Sequence, residues 1–575
     1  MWTRLLSSRH AWRALVIACA LASLSATART EEPSDAAQVH HAVWRARNHL
    51  VVDGRPTPLF WAVGLSDPSD LGAYASLGLN AVEIVIARPS AETWEAAEGI
   101  AGAATARGMY VLVTLTPPKE LTRGPVRGFR VSPLDAAYRE AVRAYLRPVV
   151  ERGGELPGLV AWVVEGVDAD SLPYSAADFA EYLLRWHGGL AAVRRAWGTA
   201  IGDAAGITES FVAELDSRKP LGVGRASLDL ARYRSEVYRE LLDVWAQEIR
   251  RLDSKHVVLA GRQRSYRAAI SVPATCDGML LGLYPDVAED DLATHNVHGV
   301  DVARRGNQFA ALPVLKLSAA RSGAQAASWI AQAVLHGAAG IGFAHWRDIR
   351  ANEALRRDVR AALLVTHELR LCPRVPAATA AFLYEPWAAG GFAGGRPLYG
   401  WLTGASVSEP GALFRALGRG TAFGQVDYLS ESSLADVRLD RYGAIVAPLA
   451  LSLGSFAQAA LVGYVSRGGT LLADLGVGFD DTASVTRLPR QLGELFGVRS
   501  VPGELQGPVS FIAMTQHPRF PSLRRELGTA SAANPAKFDP PISYVGLWAG
   551  AAPVLAEWSS APAFAGIMAR PYGKG

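Results

Sequence analysis

Eight short apolar runs recur between residues 58 and 346, each divided from the next by a longer stretch of helical character. Strand-length runs alternating with amphipathic stretches mark parallel β/α units. The runs are Pro58–Gly64, Asn80–Ile86, Met109–Leu115, Leu159–Glu165, His256–Gly261, Gly278–Tyr284, Leu312–Ser318 and Gly340–Trp346. The clearest helix precedes the fifth run. It places Leu230, Tyr233, Val237, Leu241, Trp245, Ile249 and Leu252 three and four apart, on one apolar face. Eight such units over roughly 300 residues predict a closed (β/α)₈ barrel, a TIM barrel. The same alternation also permits an open doubly wound sheet.

Reacting groups on such a barrel sit at the C-terminal ends of the strands. That singles out Glu165 after the fourth run, Tyr284-Pro285-Asp286 after the sixth, Ser318 after the seventh and Trp346-Arg347-Asp348 after the eighth. Glu83 lies inside the second run, in opposite phase to Val82 and Ile84, and points into the barrel. A buried structural pair is the ordinary use of such a carboxylate. Asp168 and Asp170 read as loop residues capping the following helix.

At 575 residues the chain exceeds what one hydrophobic core organises, so a second domain is expected. From about Ala378 new strands appear at Ala380–Tyr384, Gln425–Tyr428, Gly443–Ala447 and Gly469–Asp474, with a helical stretch at Ser455–Val465. This predicts an α/β domain of flavodoxin or Rossmann type. Its glycines form no GxGxxG turn, so no dinucleotide cofactor is expected. It also contains no cysteine, which removes thiol nucleophiles from consideration.

Composition narrows the partners. Half the residues are hydrophobic, 19% are charged, and the net charge of +4 is not gathered into any basic run, so nucleic acid is not expected. The N-terminus has Arg4, Arg9 and Arg13, an apolar run from Ala14 to Leu24, and a small-x-small site at Ala26-Thr27-Ala28. This predicts a secretory signal over residues 1–28, a periplasmic or secreted product, and no membrane association after cleavage. Lipidation at Cys19 is the weaker reading, because only about four apolar residues precede it. In an oxidising compartment Cys276 and Cys372 become candidates for pairing. Two distant cysteines and scattered histidines give no metal-ligand spacing, and no metal is expected.

The chain also resembles a known family. Phe179 to Leu190, leading to Ala196-Trp197-Gly198-Thr199, is similar to the segment after the acid/base strand of glycoside hydrolase family 42, the β-galactosidases. Asp277 through Tyr284-Pro285 resembles that family's sixth strand, and His336-Gly337-Ala338 with Phe343 to Arg347 and Glu353 its eighth-strand signature. Phe382-Leu383-Tyr384, Tyr442 with Ile445 to Pro448, Tyr464-Val465 with Gly468-Gly469-Thr470, Val554-Leu555-Ala556 and Tyr572 to Gly575 resemble its trimerisation domain. The resemblance runs from about residue 45 to 575. It implies a barrel over 41–372, a trimerisation-like domain over 378–575 that is incomplete at its end, and a homotrimer.

The resemblance also implies two glutamates, at the ends of the fourth and seventh strands; such enzymes work with a pair of carboxyl groups flanking the scissile bond. Here Glu165 is the acid/base candidate, about two positions before the family's usual glutamate and without its Asn-Glu pair. The seventh run has no acid, and Ser318 stands where the nucleophile is expected. Asp348 and Asp286 are the carboxylates that could serve instead, although either could equally pair with an arginine, Arg347 or Arg350 in the case of Asp348. Tyr284, Trp346 with Arg347, and Trp61 are the candidates for holding a sugar, while Trp186, Trp197 and Trp245 read as core. The expected function is hydrolysis of β-linked glycosides, galactosides among them. The rival is a barrel that binds carbohydrate or scaffolds an assembly without cleaving anything.

Overall fold

The computed structural model describes residues 41, 43–122, 131–165, 175–197, 203–208, 210–212, 225–263, 271–283, 299–304, 309–320, 322–368, 378–383, 426–435, 437–447, 453–473 and 490–505, the strands at 511–513, 542–549, 554–558 and 561–568, and residue 573.

Three short antiparallel strands come first: β1 (Val43–Ala46), β2 (His49–Val52) and β3 (Arg55–Pro56). The turn from β2 to β3 is Asp53-Gly54 with φ of 50° and 78°, the left-handed pair that tight hairpins select. The barrel follows, in β4 (Leu59–Ala62), β5 (Ala81–Ile86), β6 (Tyr110–Leu115), β7 (Leu159–Val164), β8 (Val257–Gln263), β9 (Gly278–Leu283), β10 (Ala310–Leu315) and β11 (Gly340–Phe343). Each pairs in parallel with the next from β5 to β11, and β11 pairs with β4. The order never reverses, so the doubly wound alternative is excluded.

The seam between β4 and β5 is closed by a side chain. Asn80 accepts from the Phe60 amide at 2.7 Å, donates to the Pro58 carbonyl at 2.8 Å, and its own amide reaches the Phe60 carbonyl at 3.0 Å. The carboxamide thus imitates a strand ladder where the two backbones diverge.

All eight expected strands are present, but β10 and β11 each end three residues earlier than the apolar pattern suggested. β10 stops at Leu315, and Lys316 leads into a 3₁₀ turn over Leu317–Ala319. Leu317 is apolar because it packs into the helix layer, not because the strand continues. Likewise β11 stops at Phe343, and Trp346 opens a helix instead of ending a strand.

The helices around the barrel are α1 (Leu71–Ser76), α2 (Ala91–Thr105), α3 (Ala136–Gly153), α4 (Ala176–His187), α5 (Leu190–Trp197), α6 (Arg225–Leu252), α7 (Gly323–Leu335), α8 (Trp346–Ala351) and α9 (Glu353–Glu368). Ser90, Asp135, Ser175 and Ser322 cap α2, α3, α4 and α7 with side-chain oxygens on first-turn amides. The face read from the sequence of α6 is the buried one: Leu230, Tyr233, Leu241, Trp245 and Ile249 are all sealed.

Two cores result. One lies between strands and helices; the other fills the barrel with Leu59, Trp61, Leu112, Ala161, Val163, Leu259, Leu280, Leu312 and Val314. Val43, Leu50 and Val52 of the N-terminal sheet join the inner core, and the Val43 amide bonds the Lys255 carbonyl, just before β8. The sheet therefore covers the N-terminal end of the barrel, and chemistry is left to the opposite mouth.

Beyond the barrel, β12 (Ala380–Leu383), β13 (Val426–Leu429), β14 (Ala444–Ala447) and β15 (Thr470–Ala473) form a parallel sheet in the order β13-β12-β14-β15. Helices α10 (Ser455–Ser466) and α11 (Arg490–Phe496) contribute Ala457, Leu461, Leu492 and Leu495 to its core. Antiparallel strands follow: β16 (Val498–Leu505) with β18 (Ile542–Ala549), and β17 (Phe511–Ala513) with β19 (Val554–Trp558) and β20 (Ala561–Met568). Of the expected second domain, then, the four-stranded parallel sheet and its helices are what the structure displays. Cys276 is buried in the outer core, and Cys372 lies outside the described residues. Among the described residues no helix is long and apolar enough to cross a membrane.

Candidate active site

Strand alternation assigns the inside of the barrel. Trp61, Glu83, Thr114 and Val163 occupy inward positions near its C-terminal half, and Glu165 is the next inward position beyond β7. Trp61 is wholly buried. Its indole fits because β11 carries Gly342 opposite it: a Cβ there would come within 2.5 Å of the ring.

Arg262 joins these residues through a backbone irregularity. Val257 and Leu259 face inward, so alternation would turn Arg262 outward. Between Ala260 and Gln263, however, β8 gains one residue against β9. Such a bulge re-aims a side chain, a common device at barrel rims. Gly261 makes the arrangement sterically feasible, since a Cβ on it would lie 2.5 Å from the Glu165 Cα and from the Val164 carbonyl oxygen.

The turned-in guanidinium donates Nη1 to Glu165 Oε2 and Nη2 to Glu83 Oε1. Glu83 accepts two further bonds, from Thr114 Oγ1 at 2.6 Å and from Trp61 Nε1 at 3.1 Å. Side-chain exposure rises along the chain of contacts, from 0% at Glu83 to 11% at Arg262 and 27% at Glu165. Glu83 is thus the buried structural pair its position suggested: three donors compensate its burial, and it has no open face for a reactant. Glu165 differs. One oxygen is held by Arg262, the other bonds no described residue, and the side chain meets solvent.

The other sequence candidates are dispersed. Trp346 is buried, donates Nε1 to Asp70 Oδ2 at 2.9 Å and packs on Tyr74 with ring centroids 5.0 Å apart. It lies beneath the rim because it begins α8 rather than ending β11, so its faces are engaged in packing. Trp61 is sealed inside the barrel for the reason given above. Neither presents a free face on which a sugar could stack. Arg347 is 87% exposed and stands 3.6 Å from Asp348, itself 32% exposed in the first turn of α8. Helix starts favour carboxylates there. Arg350, considered as a partner for Asp348, instead bonds Asp70 at 2.8 Å. Ser318 is exposed in the turn after β10, with Lys316 following the strand directly. Tyr284, Asp286, Asp168 and Asp170 lie outside the described residues.

Arg262 is the residue that reading the sequence missed. Its one signal was a glycine closing the fifth apolar run, the mark of a bulge or a close backbone approach. Chemically, the described site offers one half-exposed carboxylate, oriented by an arginine at a barrel mouth. Among the described residues no cluster of histidine, cysteine and acidic side chains could hold a metal ion.

No protein-family profile matches the chain, and no curated protein does. Solved structures match over nearly its whole length. A β-galactosidase from Bacillus circulans sp. alkalophilus superimposes with a TM-score of 0.65 at 15% identity, over 90% of this chain and 85% of that one. The β-galactosidase of the Antarctic haloarchaeon Halorubrum lacusprofundi gives 0.63 at 18% identity, over 90% and 86%. An exo-β-1,4-mannosidase from Opitutaceae bacterium strain TAV5 gives 0.55 at 12% identity, over 93% and 92%. Other matches include β-galactosidases of glycoside hydrolase family 42, so the resemblance drawn from sequence holds at the level of fold. Identities this low establish the fold and nothing finer.

Proposed function

We propose that this protein acts on β-linked glycosides, galactosides among them, at the C-terminal mouth of its barrel, with Glu165 as the acid/base. The observation that carries this reading is the divided carboxylate. Arg262 fixes one oxygen of Glu165 and leaves the other open, the geometry needed by a group that passes a proton to or from a bound ligand. The barrel supports the reading, because its fold is shared with enzymes that act on glycosides. Asp348 and Asp286 are the candidates for the second carboxylate. Arg347 and Tyr284 are the candidates for holding the sugar. Export by the N-terminal segment and assembly as a trimer belong to the same proposal.

A second reading, binding without cleavage, is favoured by one specific observation. β10 ends at Leu315, the next residue is Lys316 and not an acid, and Glu83 is sealed. One experiment separates the two: the purified chain is given a panel of aryl β-glycosides, with aglycone release and calorimetric binding followed in parallel. Release supports hydrolysis, binding without release supports the second reading, and neither response overturns both.

A further inference from the structure

Within the glycoside reading, we infer that Lys316 is an anion-recognising residue and that the preferred ligand carries a negatively charged substituent. Leu312 and Val314 belong to the interior of the barrel and Leu315 to the outer layer. Alternation therefore gives Lys316 the next inward position, directly beyond the end of β10. It is half-buried.

The charged neighbours on inward positions are committed to one another: Glu83 and Glu165 both bond Arg262. Asp70, under the rim, is taken by Arg350 and Trp346. Lys316 is the exception. Among the described residues its ammonium group has no hydrogen bond and no ion pair. Partial burial of a cation is unfavourable until an anion meets it, and a lysine head on a flexible stem is a point charge suited to a carboxylate or a sulfate. Val63, part-exposed on an inward position beyond β4, and Val85, which is 44% exposed, add apolar surface at the mouth. A pyranose ring with one anionic group fits that division: its C–H faces meet the valines and its charge meets Lys316.

The test is calorimetric titration of the full chain with methyl β-galactoside, the matching galacturonide and the galactoside 6-sulfate, repeated on K316M and K316R. At least one anionic ligand is expected to bind about tenfold or more tighter than the neutral one, which is about 1.4 kcal/mol. That ratio falls towards one in K316M and persists in K316R. The two anionic arms tell carboxylate from sulfate. If only the neutral galactoside binds, or if K316M weakens neutral and anionic ligands equally, this inference is overturned while the glycoside reading stands. If none of the three binds the wild type, the glycoside reading fails and this one with it.

Discussion

Arg262 bonds Glu165 from a bulged position on the neighbouring barrel strand, so the orientation of the candidate acid/base depends on one extra residue in β8. The same guanidinium satisfies Glu83 deeper in the barrel. The mouth and the barrel core are therefore joined by a single side chain.

Gly261 is where this arrangement is most sensitive. The Cβ of G261A would meet backbone atoms of Val164 and Glu165 at 2.5 Å, and backbone cannot step aside as a side chain can. The substitution is expected to cost about 1–3 kcal/mol, the usual range for overpacking. It should also displace Arg262. Denaturant unfolding measures the first effect, and loss of ligand affinity measures the second.

Removing Arg262 itself leaves Glu83 as a buried charge with neutral donors only. R262M should lower stability by about 3–5 kcal/mol, the range for breaking a buried pair. Adding E83Q should recover a substantial part of that loss, because the stranded charge is gone. A double-mutant cycle by chemical denaturation checks the coupling.

A second buried pair joins the barrel to the parallel sheet that follows it. Arg304 bonds Asp301 at 2.9 Å and reaches Asp427 of β13 at 3.2 Å, with all three side chains almost wholly buried. Asp301 also bonds His336 at 2.9 Å, and Asp427 bonds Arg441 at 2.7 Å. R304M should destabilise by a similar 3–5 kcal/mol. Because Arg304 ties barrel to sheet, calorimetric unfolding of R304M is expected to split into two transitions and that of the wild type to remain one.

At the closed end of the barrel, Asp253 accepts bonds from Trp162 Nε1 at 2.8 Å, from His256 Nδ1 at 2.7 Å and from the Lys255 amide at 2.9 Å. Burial pushes this carboxyl up, but the bonds from His256 and Trp162 outweigh it and hold the group at about 2. A folded value below the unfolded one contributes stability that is full above about pH 4 and is lost as pH falls through about 2. D253N should therefore flatten the acid limb of the stability curve between pH 4 and 2. Urea melts across that window would show it.

The parts of this molecule that follow from periodicity were open to reading in the sequence. Eight strands, the buried face of α6 and the inward direction of Glu83 all rest on alternation and helical spacing. What escaped depends on departures from that periodicity. The bulge that turns Arg262 inward adds one residue that no apolar pattern registers. Leu317 looked like strand because burial is legible in sequence while the turn that buries it is not. Trp346 looked like rim for the same reason, since an aromatic after a strand can open a helix as readily as end the strand. Closure of the barrel at Asn80 was equally hidden, because a polar residue opening a strand gives no sign of the backbone groups its side chain will bond.

The role of Glu165 is tested most directly by turnover of an aryl β-galactoside by the wild-type chain and by E165Q, with binding measured in parallel. Proton transfer by a positioned carboxyl contributes about 10²–10⁴-fold. Turnover by E165Q is expected to fall by that factor with ligand binding retained. An E165Q chain that releases aglycone as fast as the wild type would contradict that role.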